Sequence, residues 1–323
     1  MTDKPHPKYL LQNGKLVAYE DARVHVLSTA FKYAAVVFEG FRAYWSEAHQ
    51  ELYGFRLHDH FERLLESMKI CRMPSSYTVD EYVEQLVGLM RANDLRENLH
   101  MRASAYVDTD DGGLASNEPI GVVMAALPMP RFFEREGLSI QVSSWTRISD
   151  ASLPPRVKAA PNYHNSRLAL LQARADGYDD TVLLSAGGKV TEGPGYCVFM
   201  VRNGRLVTPP VTAGILESIT RDSLIQIAAS EGQTVEEREI DRTELYVADE
   251  LFFCGSAAEV TPILSVDRLP VGDGRAGPRT LALRAAFLAA THGEVPERSG
   301  WLTPVFGVQA SAPEPVSTAA PAT

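Results

Sequence analysis

The segment LPPRVKAAPNYHN, which begins at Leu153, places a lysine in a setting suited to chemistry. Pro154 and Pro155 restrict the chain before Lys158, and the Ala-Ala-Pro that follows carries no competing charge. A lysine used for Schiff-base chemistry needs a lowered pKa, which comes from desolvation or from a nearby cation. Tyr163 lies five residues further on, so its phenol can reach a partner near the ammonium. By itself the segment allows a reactive lysine, although most lysines in loops are simply solvated.

Two segments downstream contain groups that can hold the two ends of a ligand. In KVTEGPGYC, Glu192 follows a predicted strand, and Gly193 and Gly195 leave room for a ligand beside the backbone. A carboxylate held at such a turn can pair with the protonated ring nitrogen of a cofactor. In GILESITRD, Ser218 or Thr220 can cap a helix whose first-turn N–H groups suit a phosphate. Taken alone, a solvated glutamate and an ordinary capped helix explain these segments as well.

Two more segments combine small residues with polar or charged groups. FFCGSAAE ends a predicted strand, where Ser256 can donate to a phosphate and the N–H of Ala257 to a carboxylate. AFKYAAVVFEGFRAY places Gly40 and Arg42 inside an apolar run whose phenylalanines are expected to pack in a core. Arg56, in YGFRLHDH, is a further candidate cation. A tight turn, a core strand and a surface arginine are the alternatives.

The composition is that of an ordinary globular protein. Of 323 residues, 45% are hydrophobic and 22% charged, and the length suffices for two domains with separate cores. A net charge of −10 without a basic stripe argues against a nucleic-acid partner. Cys71, Cys197 and Cys254 are too widely spaced to suggest a zinc site or a disulfide framework. The N-terminus lacks the apolar region of a signal peptide and no apolar run could span a membrane, so we expect a cytoplasmic protein without a metal.

The helix and strand signals predict an α+β protein with two domains. We place an N-terminal domain at residues 1–128 and a linker, rich in proline and charge, at 129–137. A larger C-terminal domain follows at 138–305, and the Pro/Ala/Ser/Thr-rich end, 306–323, is predicted to be a disordered tail.

Local patterns place the individual elements. Apolar residues at helical spacing predict a helix at 58–71, and Thr78 with Glu81 forms a capping box at the start of the next one. Further helices are predicted at residues 166–176, 219–230 and 279–291. Strands are predicted in LVAYEDARVHV, MRASAYV, IGVVMAAL, LSIQVSSW, DTVLLS, KVTEG, CVFMVRNGRLV and ELFFCGS.

In their order and spacing, these segments resemble the class IV, or fold-type IV, aminotransferases that depend on pyridoxal 5'-phosphate (PLP). Within that family they resemble the branched-chain amino acid aminotransferases most closely. The resemblance covers nearly the whole chain apart from the tail. The matching segments are HVLSTAFKYAAVVFEGFRAY, FRLHDHFERL, VSSWTRIS, KAAPNYHNSRLALLQARADGYDD, VTEGPGYCVF, GRLVTPPVTAGILESITRD and LYVADELFFCGSAAEVTPILSVD.

The resemblance implies the fold of the D-amino acid aminotransferases, two α/β domains with the cofactor between them. It implies that Lys158 binds PLP covalently and moves protons, that Tyr163 hydrogen-bonds its phenolic oxygen, and that Glu192 faces its pyridine nitrogen. The residues implied at the PLP phosphate are Arg56, Ser218, Ile219, Thr220 and Ser256. The residues implied in the substrate pocket are Tyr33, Phe38, Gly40, Arg102 and Ala257.

The activity implied is a ping-pong transamination between an L-amino acid and a 2-oxo acid, commonly 2-oxoglutarate. Family members are homodimers or larger assemblies, in which a loop of one subunit covers the site of the other. The segment FEGFR together with Arg102 favours a branched-chain-like enzyme over two other class IV activities, D-amino acid transamination and aminochorismate cleavage. A catalytically silent scaffold on the same fold is the non-enzymatic alternative, and it would not need Lys158, Tyr163, Glu192 and Arg56 together.

Several positions depart from the family pattern. Ser218 replaces a usual glycine but keeps its N–H, and Cys197 replaces a common asparagine and is expected to support the turn. His100 stands where a tyrosine often precedes the arginine, and the linker offers no clear counterpart of the aromatic residue that contacts substrate in relatives. In DTDDGGLASNEP, Asp110 and Asp111 are expected to be solvated. If they face the pocket, they favour a polar or cationic donor over an aliphatic one.

Overall fold

The computed structural model describes residues 6–129, 132–133 and 135–307, which form two β-sheets with helices packed against them. The first sheet has seven strands in the order β15-β4-β3-β5-β6-β1-β2, and every neighbouring pair is antiparallel. Its strands are β1 (Tyr9–Gln12), β2 (Lys15–Ala18), β3 (Val36–Ser46), β4 (Glu51–Phe55), β5 (Leu99–Val107), β6 (Ile120–Pro128) and β15 (Leu302–Pro304).

The second sheet is mixed, with the order β11-β10-β9-β12-β13-β7-β8. The pairs β10–β11, β13–β7 and β7–β8 are parallel, and the others are antiparallel. A short β14 extends β13. Its strands are β7 (Leu138–Thr146), β8 (Asp180–Leu184), β9 (Cys197–Arg202), β10 (Arg205–Thr208), β11 (Val235–Glu237), β12 (Glu250–Gly255), β13 (Glu259–Val266) and β14 (Leu269–Pro270).

The helices begin where local capping signals place them. Thr78 and Glu81 form the predicted capping box of α3, and Ser218 caps α5 by accepting a hydrogen bond from the N–H of Arg221 at 3.2 Å. The α-helices are α1 (Thr29–Tyr33), α2 (Leu57–Ile70), α3 (Val79–Ala92), α4 (Ala160–Ala175), α5 (Ile219–Ser230) and α6 (Pro278–Thr291). Single turns of 3-10 helix occur at Tyr19–Asp21, Val211–Ala213, Arg242–Val247 and Pro296–Trp301.

Three apolar cores hold these layers together. One lies between the first sheet and helices α2 and α3, and a second lies within the second sheet and its loops. The third packs α5 and α6 on the second sheet and includes Tyr44 and Phe55 of the first sheet. Phe41 is fully buried, as expected of a core residue. This shared core holds the ends of β3 and β12 close together.

The structure corrects several predicted elements. The second half of LVAYEDARVHV is a 3-10 turn followed by irregular chain, and KVTEG forms only isolated bridges, because each run is too short to pair along its length. Helix α4 begins at Ala160 and not at Ser166, since Pro161 is accommodated in its first turn.

The predicted domain boundaries stay predictions, but both ends of the C-terminal region need comment. Strand β15 pairs with β4, so residues assigned to the C-terminal domain complete the first sheet. The N–H of Phe306 donates to Glu51 at 2.8 Å, so this residue belongs to the folded part and not to the tail. Residues 308–323 of the predicted tail lie outside the described residues. Within the described ranges, no helix is long and apolar enough to cross a membrane.

Candidate active site

Lys158 is held between the two sheets, in the loop before α4. Its carbonyl oxygen accepts a hydrogen bond from the N–H of Phe38 in β3 at 2.8 Å, and its own N–H donates to the Ser67 hydroxyl at 3.3 Å. Its Nζ donates to the hydroxyl of Tyr163 at 2.7 Å and lies 5.2 Å from the centre of the Phe38 ring. The backbone therefore fixes a half-buried lysine against a phenol, as the sequence analysis anticipates.

Two connected clefts meet at this lysine, and both also contact Tyr163 and Ser256. We call the first the inner cleft, which extends from Lys158 to Glu192 and to the N-terminus of α5. We call the second the outer cleft, which is lined by Phe38, Gly40, His100, Arg102, Phe132 and Ala257.

Glu192 forms one end of the inner cleft. Its Oε1 accepts from Nη2 of Arg147 at 2.5 Å, and its Oε2 accepts from the N–H of Leu216 at 3.1 Å. Arg147 is itself anchored, since it donates to the Ser166 hydroxyl at 3.1 Å and to the carbonyl of Gly214 at 3.3 Å. Burial raises the pKa of Glu192, and Arg147 opposes that shift. The result is a buried carboxylate with a strong affinity for a further proton donor.

Cys197 supports this carboxylate, which agrees with its predicted role in the turn. Its thiol lies 3.8 Å from Oε2 of Glu192 and 3.6 Å from the carbonyl oxygen of Leu216. Burial, followed by the charge of Glu192, raises the pKa of the thiol to about 12. Cys197 therefore stays protonated and is not a reactive thiolate.

The opposite end of the inner cleft is the N-terminus of α5. Ser218, Ile219 and Ser256 line the cleft there, and Thr220 is buried in the first helical turn. The first N–H groups of a helix lack intrahelical partners and lie at the positive end of its dipole. This end of the cleft is therefore suited to an anion.

The cation at this anion site is Arg63 and not the predicted Arg56. Arg63 lines the inner cleft, and its Nη1 donates to the carbonyl oxygen of Glu217, immediately before α5, at 2.6 Å. Arg56 lies outside both clefts, where it pairs with Asp59 at 2.7 Å and with Asp222 at 2.5 Å. Both arginines lie in the same stretch, and the packing of α2 decides which one faces the ligand.

Arg63 is oriented by a fully buried carboxylate. Its Nε and Nη2 each donate to Glu39 at 2.8 Å, and Nδ1 of His60 lies 2.8 Å from the same carboxylate. A bidentate pair of this kind holds a guanidinium in one plane. The remaining N–H groups of Arg63 are left to face the inner cleft.

The outer cleft contains most of the predicted substrate residues. On adjoining strands β3 and β5, Gly40 pairs with Arg102 and Phe38 with Ser104, so these side chains share one face of the sheet. The guanidinium carbon of Arg102 lies 3.8 Å from the centre of the Phe38 ring. Burial, together with the neighbouring cations, lowers the pKa of His100 to about 4, so its imidazole is neutral near pH 7.

Other parts of the outer cleft differ from the sequence-based prediction. Tyr33 lies on α1 with 49% of its surface exposed, and Asp110 and Asp111 are also exposed, all three outside the clefts of their own chain. Phe132 supplies the aromatic residue that was not found in the linker, and Tyr196 lines both clefts although no role was predicted for it. An aromatic residue in the linker was the available signal for Phe132.

The inner cleft fits PLP, group by group. The α5 N-terminus and Arg63 match a phosphate, Glu192 matches a protonated pyridine nitrogen, and Lys158 matches an aldehyde. The glycines serve different purposes. A Cβ at Gly193 would lie 2.9 Å from the Phe253 ring, so this glycine permits core packing, whereas a Cβ at Gly195 would have 3.8 Å to Tyr163.

Comparison with known proteins agrees with this geometry. The family model for class IV amino-transferases matches residues 36–266. A curated branched-chain-amino-acid aminotransferase of Salmonella typhimurium is 40% identical over 305 residues, which cover 92% of this chain and 97% of the relative.

Solved structures give the same result. The branched-chain aminotransferase of Thermoproteus uzoniensis with norvaline has a TM-score of 0.90 at 41% identity, covering 93% of this chain and all of that one. A branched-chain amino acid aminotransferase complexed with N-(5'-phosphopyridoxyl)-L-glutamate, from the source abbreviated T.th., has a TM-score of 0.88 at 38% identity, with 93% and 99% covered. This chain belongs to the class IV aminotransferases, enzymes of fold-type IV whose cofactor is PLP.

Proposed function

We propose that this protein transfers the amino group of a branched-chain or related aliphatic L-amino acid to 2-oxoglutarate by a ping-pong mechanism. The observation that carries the proposal is the 2.7 Å contact between Lys158 Nζ and the Tyr163 hydroxyl, at the junction of the two clefts. A base at this junction reaches both a cofactor in the inner cleft and a substrate in the outer cleft.

Bound PLP supplies an electron sink that stabilises negative charge at the Cα of the amino acid. Lys158 Nζ removes the Cα proton and returns it on the cofactor side, as a general base and then a general acid. Tyr163 orients Nζ and offers a hydrogen bond to the phenolic oxygen of the cofactor. Glu192 holds the positive charge at the ring nitrogen, and Arg63 with the α5 N-terminus binds the phosphate.

The outer cleft supports an aliphatic donor and a dicarboxylic acceptor. Phe38, Phe132 and Tyr196 supply apolar walls, which favour a hydrocarbon side chain. Arg102 and the backbone at Ala257 supply donors for carboxylates. Structures of relatives with norvaline and with a pyridoxyl-glutamate conjugate agree with this pair of substrates.

We also propose a homodimer, because the region around α1 presents apolar side chains to solvent. Phe31 is 74% exposed, Tyr33 49% and Leu114 78%. Nζ of Lys32 donates to the carbonyl oxygen of Gly112 at 2.8 Å, so α1 and the 108–119 loop form one surface. In a dimer of the kind implied by the family, this surface would cover the partner's outer cleft and bring Tyr33 to it.

The other substrates weighed from the sequence receive less support. A polar or cationic donor was suggested by Asp110 and Asp111, which are exposed in the loop, where Asp111 accepts from Thr109 at 2.6 Å. A D-amino acid donor and aminochorismate cleavage have no counterpart among the relatives described above. A cytoplasmic location stays a prediction.

Absorption spectroscopy of the purified holoenzyme tests the proposal. L-leucine should bleach the visible band of the bound cofactor, D-leucine should not, and 2-oxoglutarate should restore it with one equivalent of glutamate formed. The variant Lys158→Ala should lose at least about 10³-fold in turnover because the proton-transferring group is removed. Lys69→Ala, at an exposed position of α2, is the control. Faster bleaching by arginine or glutamine than by leucine, isoleucine and valine would contradict the aliphatic assignment.

A further inference from the structure

Tyr196 lies in the wall between the two clefts. It follows Gly195 in the turn between Glu192 and β9, and it is 8% exposed. The accessible part of the side chain lines both clefts, next to Ser256. A residue in this position can affect a substrate without contacting the cofactor anchors.

The Tyr196 ring is held rigidly from below. It packs on Phe253 with 5.3 Å between ring centres, in a slot where a Cβ on Gly193 would lie 3.1 Å from the ring. Its hydroxyl hydrogen-bonds Asp180, a carboxylate that is 1% exposed and also accepts the N–H of Thr181 at 2.8 Å. Aromatic packing and a buried acceptor together fix the orientation of the ring.

Above the ring lie two aromatic residues of the linker. The centre of the Phe133 ring is 5.7 Å from that of Tyr196, the centre of the Phe132 ring is 6.1 Å away, and both contacts are edge-on. The two phenylalanines also pack on each other at 4.7 Å. Phe132 is 43% exposed and lines the outer cleft, so Tyr196 is the buried support on which this part of the wall rests.

We propose that Tyr196 is a specificity-determining residue that limits the size of the donor side chain. It seats Phe132 and Phe133 against the C-terminal sheet, and Phe132 thereby narrows the outer cleft to the width of an aliphatic side chain. An aromatic donor would have to displace this wall. The inference rests on the proposed function, because it assigns the selectivity of that same site.

The test compares kcat/KM of the first half-reaction for L-phenylalanine and L-leucine in the holoenzyme. Tyr196→Leu and Tyr196→Met remove the aromatic support while keeping apolar volume, and either variant suffices if the other does not fold. Both should raise the phenylalanine-to-leucine ratio about tenfold, a change typical of reshaping an apolar pocket. Tyr196→Phe keeps the ring and should leave the ratio within about twofold. Tyr178→Ala, a tyrosine outside the clefts that contacts Arg268, is the matched control.

Phe132→Ala tests the same wall from the other side of the contact. It should raise the ratio to a similar extent, and combining it with Tyr196→Leu should add little, because both changes open one wall. The proposal is overturned if the ratio stays within twofold in Tyr196→Leu and Tyr196→Met, or if they slow both donors equally. Failure of the wild type to use leucine would instead reject the proposed function, and the ratio would then be measured against the smallest donor that it accepts.

Discussion

Two buried carboxylates, Glu39 in the first sheet and Glu192 beside the second, each contact an arginine and yet have opposite pKa shifts. Burial raises the pKa of Glu39, but Arg63 and His60 outweigh burial, so the pKa ends well below its ordinary value. Burial also raises the pKa of Glu192, and there Arg147 only partly offsets it. The arginine alone does not decide the outcome.

The difference lies in how many donors each carboxylate receives. Glu39 accepts two guanidinium hydrogen bonds from Arg63 and contacts the imidazole of His60. Glu192 accepts one short bond from Arg147, one backbone N–H and a weak thiol contact. Glu39 is saturated and serves to orient Arg63, whereas Glu192 retains capacity for a proton-bearing ligand.

Asp180 extends the comparison to a buried carboxyl without a hydrogen bond from an arginine among the described residues. Its acceptors are used by the N–H of Thr181 and the hydroxyl of Tyr196. Burial raises its pKa to about 7. The three groups therefore form a series in which the number of charged donors falls and the pKa rises.

Removing the charge of Glu39 should have the largest effect on stability. Glu39→Gln leaves Arg63 buried without its counter-charge, so the free energy of unfolding should fall by about 3–5 kcal/mol. Urea denaturation measures this change, with Glu62→Gln on the exposed face of α2 as the control. A loss no greater than that of the control would mean that the Glu39–Arg63 pair does not anchor this region.

Removing the charge of Glu192 should affect catalysis more than folding. In Glu192→Gln the amide cannot stabilise a protonated ring nitrogen, so the half-reaction with leucine should slow by about 100-fold. Stopped-flow absorbance measures the rate. Glu250→Gln, a buried carboxylate that caps α6, is the control and should keep a normal rate. Equal rates in Glu192→Gln and the wild type would remove Glu192 from the proposed mechanism.

Asp180→Asn should have the smallest effect, and it should depend on pH. Because the folded-state pKa of Asp180 is raised to about 7, its contribution to stability is complete below pH 4 and is lost as the pH rises through 7. The variant lacks this loss, so it should gain on the order of 2 kcal/mol relative to wild type between pH 4 and pH 8. Thermal and urea unfolding at both pH values measure the gain. Parallel pH profiles would show that Asp180 does not titrate in this range.

Sequence patterns predicted the parts of the site that depend on neighbouring residues. The N-cap of α5, the lysine before α4 and the small residues after β12 are set by local backbone preferences, and the structure has them where predicted. The choice between Arg56 and Arg63 was wrong because it depends on packing. Arg56 adopts a left-handed conformation as the N-cap of α2 and reaches Asp222, while Arg63, two turns later, reaches Glu39.

By itself the sequence determined the family, the chemistry and the order of the cofactor-binding groups, because those groups follow strand ends and helix starts along the chain. Only the tertiary structure decided which arginine, which tyrosine and which linker residue face the clefts. Phe132, Tyr196 and Arg63 come from three distant segments, and no local periodicity relates them. Their meeting depends on the packing of one sheet against the other, which involves contacts between residues far apart in the chain.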